Sequence, residues 1–198
     1  MAVQNPTSAL YGLGPATIRI GIAALARSDV FSVASEAVTT FTEKTGRTAF
    51  LSVWGEAGAT IVRWFPGNPP VITALALGSV LPLLYSATGH VYCSFLMPHE
   101  IAGRLEQELK TDPGGSTSLR QIRRTTRTSL HAEVSGAFIP GLRAIAIPIF
   151  DIQGRLAVVA TAISNAAFPT AGDRKAMAAL EAACRYATEK AGGKWPTV

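Results

Sequence analysis

The sequence predicts an α+β domain, a central antiparallel sheet flanked by helices. Three observations predict it. Apolar residues recur at helical spacing in segments near the start, middle and end of the chain. Between these lie short apolar runs bounded by tight turns, the mark of hairpin-linked strands. The composition supplies a core: of 198 residues, 48% are hydrophobic and 16% charged, which excludes a disordered chain and suffices for one good-sized domain.

The elements follow in order. Pro15 opens a helix after "YGLG", with Ile18, Ile22 and Leu25 on one face. Ser28 or Asp29 caps a second helix, with Val30, Val33, Ala34, Ala37, Val38 and Phe41 inward and Gly46 as its stop. "TAFLSVW" (Thr48 to Trp54), the turn "GEAG" and "ATIVRWF" (Ala59 to Phe65) read as a hairpin. "VITALAL" (Val71 to Leu77) reads as a further strand, and "LPLLY" as the end of another. A turn, Ser86-Ala87-Thr88-Gly89, leads into a helix, and "MPHEIAGRLEQELK" makes the next one with Pro98 at its start. "TDPGGSTS" is a loop before an Arg-rich helix. "RAIAIPIF" (Arg143 to Phe150) and "LAVVATAI" (Leu156 to Ile163) close the sheet around the turn "DIQG". Both strands are apolar at nearly every position, so both faces of the sheet are expected to be covered. The final helix runs from about Gly172 to Ala191, with Met177, Leu180, Ala183, Cys184 and Ala187 inward.

The stretch Val71 to Gly89 carries no Asp, Glu, Lys or Arg and has the length of a membrane span. Gly78, Ser79 and Pro82 break such a helix, and the preceding "PGNPP" is a loop sequence, so two buried strands explain it better and no membrane is implied. The N-terminus lacks the basic-then-apolar pattern of a signal peptide, and two cysteines, Cys93 and Cys184, imply no disulfide framework. A cytoplasmic location is expected. The net charge of +5 is well short of a nucleic-acid tail; Arg120, Arg123, Arg124 and Arg127 read as a solvated helix face.

Catalytic and metal motifs are scarce. No Gly-rich phosphate loop, nucleophile elbow or metalloprotease motif occurs. His90 and Cys93 share helical spacing but have no evident third ligand. Glu100, Glu106, Glu108 and Asp112 read as surface helix residues, and no cofactor is implied. The turn at Ser86 has distinct physics. The first N–H groups of a helix lack intrahelical partners, the dipole is positive there, and small side chains permit close approach. A carboxylate is a natural guest. A plain Ser86 cap with Gly89 for close packing explains the same residues equally well.

Several segments together resemble the effector-binding domain of the isocitrate lyase regulator (IclR) family of bacterial transcription factors. "LGSVLPLLYSATGHVYCSFLMPHE" is similar to that family's Gly-x-x-x-Pro and Ser-x-x-Gly stretch, and "GLRAIAIPIFDIQGRLAVVATAIS" to its Pro-Gly-x-Arg segment and following strand. "YGLGPATIRIG" resembles the end of the winged helix and the start of the linker helix, and "FTEKTGRTAFLSVW" the helix-into-strand pattern. The order agrees along almost the whole chain.

The resemblance implies a GAF-like fold in residues 28–198, after a remnant of the wing end and linker helix in 1–27. It implies a small-molecule sensor that assembles as a dimer or tetramer and is not an enzyme. Operator DNA would be bound only through an N-terminal winged helix-turn-helix domain, which this sequence lacks. Carried over by position, the effector-binding residues are Pro70 and Thr73, the turn Ser86, Ala87, Thr88 and Gly89, then Leu142 and Ala144, and Thr161 and Ile163. Val134 and Ser135 stand where the family carries acids, Ile163 replaces a hydroxyl residue, and His90 replaces the usual Lys. Tyr85 stands where a small residue is common. The site so built is apolar, and the expected effector is a hydrophobic or aromatic carboxylate. Two alternatives stand beside it: an interaction domain whose pocket is filled by its own side chains, and an enzyme acting on a small carboxylate. Trp54, Tyr92 and Phe95 read as core, and Arg143 as a structural ion pair or backbone contact.

Overall fold

The computed structural model describes residues 2–4, 11–13, 16–17, 19–20, 29–165 and 168–197. Its main sheet has six antiparallel strands in the order β5-β4-β3-β8-β7-β6. The strands are β3 (Thr48–Gly55), β4 (Gly58–Phe65), β5 (Val80–Leu81), β6 (Ala132–Ser135), β7 (Arg143–Phe150) and β8 (Leu156–Ser164). A separate two-stranded sheet pairs β1 (Ala2–Gln4) with β2 (Tyr11–Leu13). The helices are α1 (Asp29–Thr45), α2 (Ala87–Phe95), α3 (Pro98–Thr111), α4 (Gly115–Ser129) and α5 (Asp173–Lys190), with a 3-10 turn η1 (Thr170–Gly172) before the last. Residues 16–17 and 19–20 are helical. Most of the helix expected after Pro15, with Ile18, Ile22 and Leu25, lies outside the described residues, as does the cap position Ser28.

Strand alternation splits the core in two. Ala49, Leu51, Ile145, Ile147, Ile149, Val158, Ala160 and Ala162 face α1 and α5. Phe50, Ala146, Val159 and Ile163 face the opposite way, toward α2, α3 and the segments around them. Both faces are therefore covered, as the unbroken apolar runs of β7 and β8 predict. Gly46 ends α1 with φ +68, a backbone state that a side chain disfavours. Tyr92 is 1% exposed and leans on Trp54 at 5.3 Å between ring centroids, and its hydroxyl donates to the Ser52 carbonyl.

Four segments differ from expectation. Residues 71–77 form no strand, and neither do 83–85. The only strand in that stretch is the two-residue β5. The backbone bonds of 71–79 go elsewhere than a strand ladder: Val71 N–H to the Thr48 hydroxyl, Leu75 N–H to the Thr73 hydroxyl, Ala76 N–H to the Ser79 hydroxyl, and Gly78 N–H to the Ile61 carbonyl of β4. Apolar composition without paired edges does not make a strand, and Ile72 is left 94% exposed. α4 begins at Gly115, so the loop expected over "TDPGGSTS" shrinks to residues 112–114. β6 was not expected; it alternates in burial but is only four residues long.

Among the described residues, no helix is long and apolar enough to cross a membrane.

Candidate functional site

The N-terminus of α2 is built by its own cap and by a carboxylate from α3. The Ser86 hydroxyl accepts from Gly89 N–H at 2.9 Å and donates to the Pro82 carbonyl at 2.6 Å. Glu108 accepts from the N–H groups of Leu83, at 2.8 and 2.9 Å, and Leu84, at 3.0 Å, and from Arg104 at 3.1 Å. Glu108 is thus a tie between α3 and the turn before α2, and not the surface residue its helical context suggested. His90 bonds the Leu84 carbonyl through Nε2; burial lowers its pKa and only partly yields to that bond. Ala87 and Thr88, the first two residues of α2, are fully buried, and their N–H groups make no hydrogen bond among the described residues.

Those two residues open onto a cavity of about 30 Å³. Ser86, Ala87 and Thr88 form one end of it. The sheet forms the floor, through Phe50 of β3, Ala144 of β7, and Thr161 and Ile163 of β8. The register explains why these converge: Phe50 lies opposite Thr161, and Ala144 opposite Ile163. The Thr88 and Thr161 hydroxyls bond each other at 2.8 Å, which joins helix to sheet and leaves each oxygen further hydrogen-bonding capacity. Leu75 and Leu81 line one side, Val134, Phe138, Ile139 and Leu142 the other, and Tyr85 stands at the rim. Tyr85 does not fill the space: it is 37% exposed and its hydroxyl donates to the Asp112 carboxylate, which raises its pKa.

Seven of the ten residues expected to bind an effector line this one cavity: Ser86, Ala87, Thr88, Leu142, Ala144, Thr161 and Ile163. Pro70 and Thr73 do not. Because 71–77 is not a strand, Thr73 turns its hydroxyl to the Leu75 N–H, and Leu75 reaches the cavity in its place. Gly89 does not line it either. It packs against the turn, where a Cβ would lie 2.2 Å from the Pro82 carbonyl oxygen. Phe138 and Ile139 were missed. An apolar pair between two glycines, in "SGAFIPG", was the available signal.

Other polar groups are structural. Arg123 donates to the Cys93 carbonyl at 2.9 Å and Arg127 to the Ser94 carbonyl at 2.6 Å, so two of the four α4 arginines grip the C-terminal end of α2 and are not a merely solvated face. Arg143 pairs with Asp173 at 2.6 Å and donates to the Phe168 carbonyl at 2.7 Å. Cys93, whose thiol burial pushes up to about 12, faces the Leu83 carbonyl, whereas His90 faces that of Leu84. Among the described residues no three His, Cys, Asp or Glu side chains gather as a metal site.

The comparisons agree with this architecture. The chain is 33% identical to HmgR of Pseudomonas aeruginosa, whose crystal structure matches with a TM-score of 0.73 over 97% of this chain and 79% of HmgR. An IclR transcriptional regulator from Silicibacter sp. TM1040, described as putative and 20% identical, shares the fold with a TM-score of 0.83 over 98% of this chain and 79% of that one. The DNA-binding transcriptional repressor YiaJ of Escherichia coli K12 is 23% identical over 196 residues, 94% of this chain and 70% of YiaJ. The family model described as "Bacterial transcriptional regulator IclR C-terminal" matches residues 22–190, so the chain belongs to the IclR family of bacterial transcriptional regulators and carries their C-terminal domain.

Proposed function

We propose that this domain senses a small carboxylate with a hydrophobic or aromatic body and passes its binding on to transcriptional control. The observation that carries the reading is the pair of N–H groups of Ala87 and Thr88, unbonded among the described residues, at the buried end of an apolar cavity. A carboxylate there meets two backbone donors, the positive end of the helix dipole and the Thr88 and Thr161 hydroxyls. Phe50, Leu75, Leu142 and Ile163 supply apolar surface for the rest of the molecule. Val134, where the family carries an acid, removes a charge that would repel an anion. On this reading the domain binds and releases its ligand without turnover. It works in the cytoplasm as part of a dimer or tetramer, and operator DNA is contacted by a winged helix-turn-helix domain.

The test is isothermal titration of aromatic and short aliphatic acids beside sugars and polyols. Saturable binding of an apolar acid, with a matching rise in Tm, is expected. Binding confined to sugars or polyols would overturn the reading. The cavity's small volume supports a second reading, an interaction domain with a collapsed pocket. That reading expects oligomers and no saturable ligand.

A further inference from the structure

A cavity of about 30 Å³ holds two or three water molecules, whereas cavities that take benzene are on the order of 150 Å³. Any ring-bearing acid therefore needs part of the wall to leave. The floor and the helix end are fixed. Phe50, Ala87, Thr88, Thr161 and Ile163 are each 1% exposed or less and belong to paired strands or to α2. Leu75 sits in a segment anchored at both ends to the sheet, by Val71 N–H to the Thr48 hydroxyl and by two bonds between Ile61 and the pair Gly78 and Ser79.

The connection 136–141 between β6 and β7 is different. It brings Phe138 and Ile139 to the cavity, yet Phe138 is 41% exposed. Its own backbone bonds are Gly136 N–H to the Leu142 carbonyl, at 2.9 Å, which closes the base of the loop, and Leu142 N–H to the Ile139 carbonyl, at 3.1 Å, which is the one bond that displacing Ile139 would break among those of the described residues. Gly136 and Gly141 bracket it with φ +70 and +76, and a Cβ at either would meet nothing within 4 Å. Glycine is used at these two points for backbone freedom and not for space.

We propose that Phe138 and Ile139 form a plug in the apolar half of the effector site, and that an effector binds by displacing it about Gly136 and Gly141. This builds on the effector-site reading. The plug makes the site selective by size. A ligand must offer enough apolar surface to replace two side chains, so acetate-sized acids fail. Apparent affinity is the intrinsic affinity scaled by the fraction of molecules with the plug out. Since the loop joins β6 to β7, displacement also carries the binding event to the edge of the sheet.

The experiment compares the protein with a Phe138→Ala/Ile139→Ala variant and with Phe138→Ala alone, using benzene and benzoate as probes. Ligand-observed NMR follows benzene, calorimetry follows benzoate, and thermal unfolding checks the fold. The partly exposed plug is expected to be dispensable for folding. The double variant is expected to bind benzene at least tenfold more tightly than the parent, with the single variant between. Benzene binding that is unchanged or weaker overturns the plug. Tighter benzene binding with no benzoate binding in any form leaves the plug standing and removes the carboxylate reading.

Discussion

At the start of α2, Ser86 and Gly89 close the turn, while the N–H groups of Ala87 and Thr88 make no hydrogen bond among the described residues. Gly89→Ala forces a Cβ against the backbone of Pro82 and Leu83, which cannot give way as a flexible side chain does. A loss of about 2–3 kcal/mol in urea unfolding is expected. Ala87→Pro is the complementary probe. Proline is favoured at the first helical position, and Ser86, at φ −112 and ψ 146, already has the extended backbone that precedes it. The variant should keep its Tm within a few degrees and lose carboxylate affinity by about tenfold, since one charge-assisted bond is removed. Titration calorimetry checks the second point; undiminished affinity would place the anion elsewhere. Individual roles were legible where chemistry is local, as at the Ser86 cap; for Arg143 the sequence suggested a structural role but not its partner, Asp173, which lies 30 residues away. Glu108 was not legible, because its partners, Leu83 and Leu84, are 25 and 24 residues away.

Elements repeat that division between local and remote causes. α1, the β3–β4 hairpin, β7, β8 and α5 carry unbroken periodicity between clear stops, and each lies within a residue or two of its expected span. Residues 71–77 have equally apolar composition but join no strand ladder; their bonds go to the hydroxyls of Thr48, Thr73 and Ser79. β6 is the reverse case: "AEVS" alternates but is too short to stand out alone, and pairing with β7 makes it a strand. That register also decides the site, since it carries Val134 opposite Ala144. The role of α4 is likewise set by its neighbour. Arg123 and Arg127 cap carbonyls that α2 cannot satisfy itself. Arg123→Ala and Arg127→Ala are each expected to cost about 1 kcal/mol. Arg120→Ala, on an exposed position of the same helix, should cost little, and denaturant titration of the three separates these outcomes.

For the molecule as a whole, the sheet separates the helical layer of α1 and α5 from the layer that holds the proposed effector site. Asp173, at the start of α5, ties the first layer together by pairing with Arg47 at 3.0 Å and Arg143 at 2.6 Å. Burial works against its carboxylate, but the two guanidinium groups outweigh burial and hold its pKa below the ordinary 3.8. A depressed carboxylate stabilises the fold fully above its unfolded value and ceases to do so as the pH falls through its folded value. Tm should therefore drop on acidification below about pH 4. Asp173→Asn should be less stable at neutral pH and lose less on acidification; an equal loss in both proteins would assign acid sensitivity to other groups. The ligand layer is reached most directly by amide NMR of the whole chain during titration with benzoate and related acids. The expected result is saturable shifts largest at the Ala87 and Thr88 N–H groups. Saturable binding that leaves those two amides unmoved, or no binding across the series, would contradict a carboxylate held at the N-terminus of α2.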